Sequence, residues 1–341
     1  MNHRHLLFFI FFFSHHLATG QPPSARALRH FSILDKQLGK IDFYLTEKDI
    51  DKRKPLLLFL DGSGATPLFR FKIDQADKHN MIMYSTIIFN YDSLATQYHI
   101  AFISKPGVRF ADTFFVRSLD SNIETDPPRE YTEKLSADWR AGAASAVIDY
   151  IITHQKVNTK KVAVMGYSEG AQVAPHVAVL NKKVTHLICF SGNGPNQLYD
   201  FVIQQRLRAS KGELSEQETQ NNIDTLLLAF KDIYAHPTST DKFWSGHTYK
   251  RWASFCTVNP LDYMLQLNIP IYLAHGTADD NTQIINSDYV QLEFLKHHKK
   301  NLIYKTYPSC NHFFREINKD KLPIEHIDEV ISEMFSWLDK Q

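Results

Sequence analysis

Ser168 is the residue whose surroundings most suggest chemistry. It lies in Gly166-Tyr167-Ser168-Glu169-Gly170, after the apolar run Val162-Ala163-Val164-Met165 and before a segment of helical period. A strand, a sharp turn and a helix in that order hold a serine on a strained corner, and small residues two positions to either side let strand and helix pack closely around it. The helix start would add the positive end of its dipole, so the backbone N–H of Glu169 is an expected donor to a developing oxyanion. An alcohol is a poor nucleophile at neutral pH. Ser168 therefore needs an imidazole to take its proton, and the imidazole needs a carboxylate to hold its tautomer.

Candidates for both partners come later in the chain. Ile271-Tyr272-Leu273-Ala274-His275-Gly276-Thr277-Ala278-Asp279-Asp280-Asn281 reads as a strand ending in a polar turn with two carboxylates. Asp279 or Asp280 could be the orienting acid, while a carboxylate in such a turn can also simply cap the helix that follows. His312 follows the last predicted strand, in Tyr307-Pro308-Ser309-Cys310-Asn311-His312-Phe313. Its position singles it out among 17 histidines: His275 stands at a strand end ahead of the acid, and His326 falls in the terminal helical segment. Upstream, Leu60-Asp61-Gly62-Ser63-Gly64 forms a glycine-flexed turn after an apolar strand. A backbone N–H there can approach a reacting carbonyl, which makes Ser63 the expected second oxyanion donor. The chain carries no phosphate-binding glycine loop and no His-Glu-x-x-His, so neither cofactor nor metal is expected.

The elements that must position these residues alternate. Predicted strands are Ile41–Leu45, Leu56–Leu60, Ser85–Phe89, His99–Ile103, Val162–Met165, His186–Phe190, Ile271–Ala274 and Leu302–Thr306. Predicted helices cover Ala137–His154, the stretch around Gln172–Leu180, Asp288–Lys296 and Ile324–Leu338. Strands that are apolar throughout, alternating with helices, are the signature of an α/β fold with a mainly parallel eight-stranded sheet and helices on both faces. Residues from about 195 to 265 break the alternation with two helical stretches, Leu198–Ala209 and Gln217–Tyr234, and then an aromatic-rich segment. They read as a helical cap inserted into a core of residues 40–194 and 266–341. Trp244, Tyr249 and Trp252 could line a substrate pocket beneath it or form the cap's own small core.

Composition narrows the partners. Lys and Arg total 38 against 37 Asp and Glu, scattered along the chain, so there is no basic stripe of the kind nucleic-acid binding needs. With 43% hydrophobic and 22% charged residues, the 341-residue chain can bury a sizeable core. Residues 1–20 contain Arg4, the apolar run Leu6–Phe13 and small residues at Ala18 and Gly20, the pattern of a signal peptide cut before Gln21. That run is far short of the roughly 20 residues a membrane span requires. A secreted or periplasmic protein with no membrane span is expected. Cys189, Cys256 and Cys310 are too few for a disulfide framework. A Cys256–Cys310 bridge and three buried thiols are both open readings.

At these motifs the chain resembles the α/β-hydrolase superfamily, and within it the prolyl-oligopeptidase-like and dienelactone-hydrolase-like branches. The resemblance runs from about Lys54 to the C-terminus, interrupted by the cap. Asp61-Gly62-Ser63-Gly64 matches the loop usually written His-Gly-x-Gly, with Asp61 replacing the histidine. The loop from His275 to Asn281 is similar to the acid loop of prolyl-oligopeptidase-type enzymes, in which the first aspartate is catalytic; that implies Asp279. Only about 50 residues precede the first core motif, so the propeller of true prolyl oligopeptidases is not expected.

Three functions of different class follow. The first is an ester hydrolase acting through an acyl-enzyme on a small-molecule substrate. The second is a serine peptidase acting on short peptides, with Glu169 beside the nucleophile as a candidate to hold an amino terminus. The third is a binding module that reuses the fold without catalysis.

Overall fold

The computed structural model describes residues 27–119, 126–316 and 322–341. The expected signal peptide at residues 1–20 lies outside them. Leu56–Leu60, with no polar side chain, is buried along its whole length and occupies the interior of an eight-stranded sheet. In spatial order the strands are Leu28–Asp35, Gly39–Thr46, His99–Ile103, Lys54–Leu60, Val157–Tyr167, His186–Phe190, Ile271–Gly276 and Leu302–Tyr307. The first two pairings are antiparallel and all later ones parallel. The sheet is thus mixed.

One expected strand is corrected. Residues Thr86–Phe89 are not a strand; Met81–Ser85 pairs with Phe69–Asp74, which pairs with Ala111–Val116 in a separate three-stranded sheet. Ile87, Ile88 and Phe89 are nevertheless buried in the core, which explains their apolar run. The remaining strand of the large sheet is Leu28–Asp35, an edge strand with a single fully buried residue and therefore no apolar signature. Its turn is closed by Asp35, whose Oδ1 accepts from the backbone of Gln37 and Leu38.

Helices cover both faces. Ala137–His154 and Glu169–Leu180 pack on one side, the first capped by the Ser136 side chain on the Trp139 N–H. On the other side Ile327–Asp339 buries Ile327, Val330, Ile331, Met334, Phe335 and Leu338. Each such side chain contributes about 1.5–3 kcal/mol when fully buried. Between the strands His186–Phe190 and Ile271–Gly276 the chain forms the helices Gln197–Ser210, Glu216–Ala235, Tyr249–Cys256 and Pro260–Gln266, with a two-residue hairpin, Phe243–Trp244 against His247–Thr248. All three cysteines are free and buried, so the Cys256–Cys310 bridge does not form. Among the described residues no helix is long and apolar enough to cross a membrane.

Candidate active site

Ser168 stands at the junction of Val157–Tyr167 and the helix Glu169–Leu180, with φ 55° and ψ −120°. A side chain at positive φ costs about 1–3 kcal/mol and survives only where its surroundings enforce it. The glycines flanking the turn show the enforcement. A Cβ on Gly166 would meet the Gly170 carbonyl oxygen at 2.2 Å, and one on Gly170 would meet the Leu60 carbonyl oxygen at 2.0 Å. Strand, elbow and helix approach too closely for any side chain there.

His312 and Asp279 reach this corner from two other loops. Ser168 Oγ lies 3.1 Å from His312 Nε2, and His312 Nδ1 lies 2.8 Å from Asp279 Oδ2. The His312 loop is pinned by its own carbonyl, which accepts from Tyr167 Oη (3.0 Å) and Ser191 Oγ (2.9 Å). Asp279 Oδ1 accepts from the backbone of Asn281 and Thr282, both at 2.9 Å, while Oδ2 also accepts from Thr282 Oγ1 at 2.9 Å and lies 3.1 Å from His275 Nε2. Burial works to raise the Asp279 pKa. The charge of His312, followed by hydrogen bonds from His275 and His312, outweighs that and holds the carboxyl below the ordinary range. The neighbouring Asp280 is exposed, and its backbone carbonyl accepts from the side chains of Gln204 and Gln283. Of the two candidate acids, Asp279 is the one that meets the imidazole.

The turn Asp61–Gly64 rests on an unforeseen set of buried charges. Lys105 Nζ lies 2.8 Å from Asp61 Oδ2 and donates to the carbonyls of Gly62 (2.7 Å) and Gly64 (2.9 Å). Three acceptors use all three protons of an ammonium. Asp61 Oδ1 accepts from Arg140 Nη2 at 2.8 Å, Arg140 Nη1 donates to Glu169 Oε1 at 2.7 Å, and Glu169 Oε2 accepts from Arg251 Nη2. Positive and negative groups alternate along this line, and every member is at most 6% exposed. Asp61 thus has a structural role that the histidine of the related loop could not fill in the same way: it binds two cations. Burial would raise the Glu169 pKa, but Arg251, Arg140 and Lys105 together pull it well below the usual carboxylate range.

An open cleft of about 710 Å³, counting the part continuous with solvent, joins these groups. Ser63, Ser168, Glu169 and Thr282 line one part of it, and Phe201, His247, Arg251 and Trp252, from the chain between the strands His186–Phe190 and Ile271–Gly276, another. Of the three aromatic candidates, only Trp252 lines the cleft. It is 5% exposed and stacks edgewise on Trp244 at 5.0 Å. Trp244 packs behind it against Phe201 and Phe230, and Tyr249 turns away to donate to Asp232. These aromatics pack mainly on one another, with Trp252 and Phe201 facing the cleft.

With this geometry in view, comparison with known proteins is decisive on family. Residues 145–316, just over half of the chain, match the family BAAT / Acyl-CoA thioester hydrolase C terminal. The chain belongs to this family. No curated protein matches it in sequence. Among solved structures it is similar to Est1E from Butyrivibrio proteoclasticus, with TM-score 0.51 and 13% identity over 92% of this chain and 99% of that one. It is also similar to Porphyromonas gingivalis dipeptidyl peptidase 4, with TM-score 0.53 and 12% identity over 92% of this chain. Pyrococcus horikoshii acylaminoacyl peptidase gives TM-score 0.51 and 12% identity over 84% of this chain. The match covers only 35% and 37% of those two peptidases. At such identities the likeness is one of fold. By family and fold the chain is an α/β hydrolase.

Sequence reasoning missed Lys105, Arg140, Arg251, His275 and Thr282. Arg140 stands in sequence among the buried apolar residues of the alanine-rich helix Ala137–His154, and an ionic residue on such a face is the one signal that could have drawn attention to it.

Proposed function

We propose that the protein hydrolyses carboxylic esters through an acyl-enzyme, with Ser168 as nucleophile, His312 as general base and Asp279 as the acid that orients it. The observation that carries this reading is the unbroken line from Ser168 Oγ through both ring nitrogens of His312 to Asp279 Oδ2, opening on the cleft. His312 takes the hydroxyl proton through Nε2 as Ser168 Oγ attacks the carbonyl carbon. Asp279 holds the other ring nitrogen protonated and stabilises the imidazolium that forms. The negative charge on the former carbonyl oxygen is met by backbone N–H groups of Glu169 and Ser63. His312 then returns its proton to the leaving alcohol, and water repeats the sequence to release the acid and restore Ser168. The inserted segment, 195–265, acts as a cap over the substrate, and residues 1–20 direct export.

The peptidase reading in its aminopeptidase form needs a free carboxylate beside the nucleophile. Glu169 is already held by Arg140 and Arg251, which favours the ester. Purified protein beginning at Gln21 is expected to turn over short p-nitrophenyl esters and to be labelled at Ser168 by a fluorophosphonate, with labelling lost in His312→Ala. Turnover that survives Ser168→Ala would sink the assignment. Preferential cleavage of a dipeptide anilide, lost in Glu169→Gln, would move it to a peptidase.

A further inference from the structure

The line of buried charges does not end neutral. Lys105, Arg140 and Arg251 face Asp61 and Glu169, three cations against two anions, and the last cation, Arg251, lines the cleft that contains Ser168. Its side chain is 3% exposed, with the guanidinium carbon 4.3 Å from the Trp252 ring centre and 4.5 Å from that of Phe255. Glu169 occupies Nη2. Among the described residues the N–H groups on Nε and Nη1 have no acceptor, and Nδ1 of His247, which lines the same cleft, has no partner either. A buried donor left unpaired is destabilising, and more so when it is charged. Such a cluster is stable at low cost only if an acceptor arrives from outside the chain.

The other carboxylate on the cleft wall does not supply it. Asp200 has one oxygen on Asn193 and the other on Asn286, and burial together with the charge of Asp279 favours its protonated form. Among the described residues one positive charge at the cleft thus stays unanswered.

We propose that the substrate carries a carboxylate, received by Arg251 as the residue that sets specificity, with His247 as a second donor. A single excess charge matches one carboxylate, whereas a phosphate dianion would overcompensate it. The flat guanidinium, packed against two aromatic rings, presents its donors in a plane suited to that group. The proposal deepens the ester-hydrolase reading and rests on it for the reaction, but not for the binding.

Two measurements test it. The first is calorimetric titration with adipate: binding is expected in the native protein, weaker in Arg251→Lys and absent in Arg251→Gln, with adipamide not binding to any of them. The second compares kcat/KM for mono-p-nitrophenyl adipate and for 4-acetoxybenzoate, each against its primary amide, which places the charge on the acyl or on the alcohol side. The native protein is expected to prefer at least one charged ester by about tenfold or more, and the ratio should collapse toward one in Arg251→Gln. The ratio is insensitive to how much active enzyme a variant retains, and His247→Gln should lower it without abolishing it. Absence of adipate binding together with ratios near one in the native protein would overturn the proposal. If adipate binds through Arg251 but no fluorophosphonate labels Ser168, the carboxylate site stands and the hydrolase mechanism falls.

Discussion

Lys105 Nζ lies 2.8 Å from Asp61 Oδ2 in the interior, the two side chains 3% and 6% exposed, and the same ammonium holds the carbonyls of Gly62 and Gly64. A long cationic side chain thereby fixes a loop whose backbone would otherwise be free to flex around two glycines.

Replacing Lys105 by Met should cost about 3–5 kcal/mol, because Asp61 would keep only Arg140 while the carbonyls of Gly62 and Gly64 lose their donor. Urea unfolding checks this. A displaced Ser63 N–H should also lower kcat about 10²-fold, since small misplacements near reacting atoms carry penalties of that size. Unchanged kcat in a folded Lys105→Met protein would show that the loop needs no such support.

Asp279→Asn keeps the shape of the turn but presents an amide to His312 Nδ1, so the imidazole loses the tautomer that accepts from Ser168. A fall in kcat of about 10⁴-fold is expected. Asp280→Asn, on the exposed side of the same turn, should stay within a few-fold of the native rate. Reversed magnitudes in steady-state assays would reassign the acid.

Acid should unfold the protein readily. Burial first, then the charge of Arg251, lowers the His247 pKa to about 3; burial first, then Lys161, lowers His186 to about 4. Because both folded values lie below the ordinary histidine pKa near 6.5, the unfolded chain binds more protons in that window. The stability these residues contribute is fully present above about pH 6.5 and is lost as pH falls toward 4 and 3. The lowered pKa values of Asp279 and Glu169 add a further loss below about pH 4. Asp200, whose pKa is raised, acts in the opposite sense, favouring the folded state at low pH. Urea midpoints measured from pH 8 to 4 should decline, and the slope should be shallower in His186→Asn. A flat profile would contradict the buried neutral state of these imidazoles.

Gly170→Ala is expected to destabilise by about 3 kcal/mol or more. Its Cβ would sit 2.0 Å from the Leu60 carbonyl oxygen and 2.8 Å from that of Asp61, both backbone atoms that cannot step aside. Thermal unfolding reports the loss directly, and a native-like midpoint would mean the elbow is looser than its geometry indicates.

The sequence by itself determined seven of the eight strands of the large sheet, the strand–turn–helix around Ser168 and the two later loops that bring an acid and a histidine. Each of those signals is contiguous: an apolar run, a glycine spacing or a polar turn lies within a dozen residues and is dictated by local backbone geometry. The edge strand Leu28–Asp35 escaped because a strand with little buried surface has no apolar pattern, and Thr86–Phe89 misled because burial without hydrogen-bonded pairing looks the same in one dimension. Only the tertiary structure decided between Asp279 and Asp280, since one residue of offset in a turn reverses where a carboxylate points. It alone brought together Asp61, Lys105, Arg140, Glu169 and Arg251, which come from five separate segments. A charged side chain read in isolation defaults to the surface, and its burial becomes affordable only when its counter-charges, distant in sequence, stand within hydrogen-bond reach.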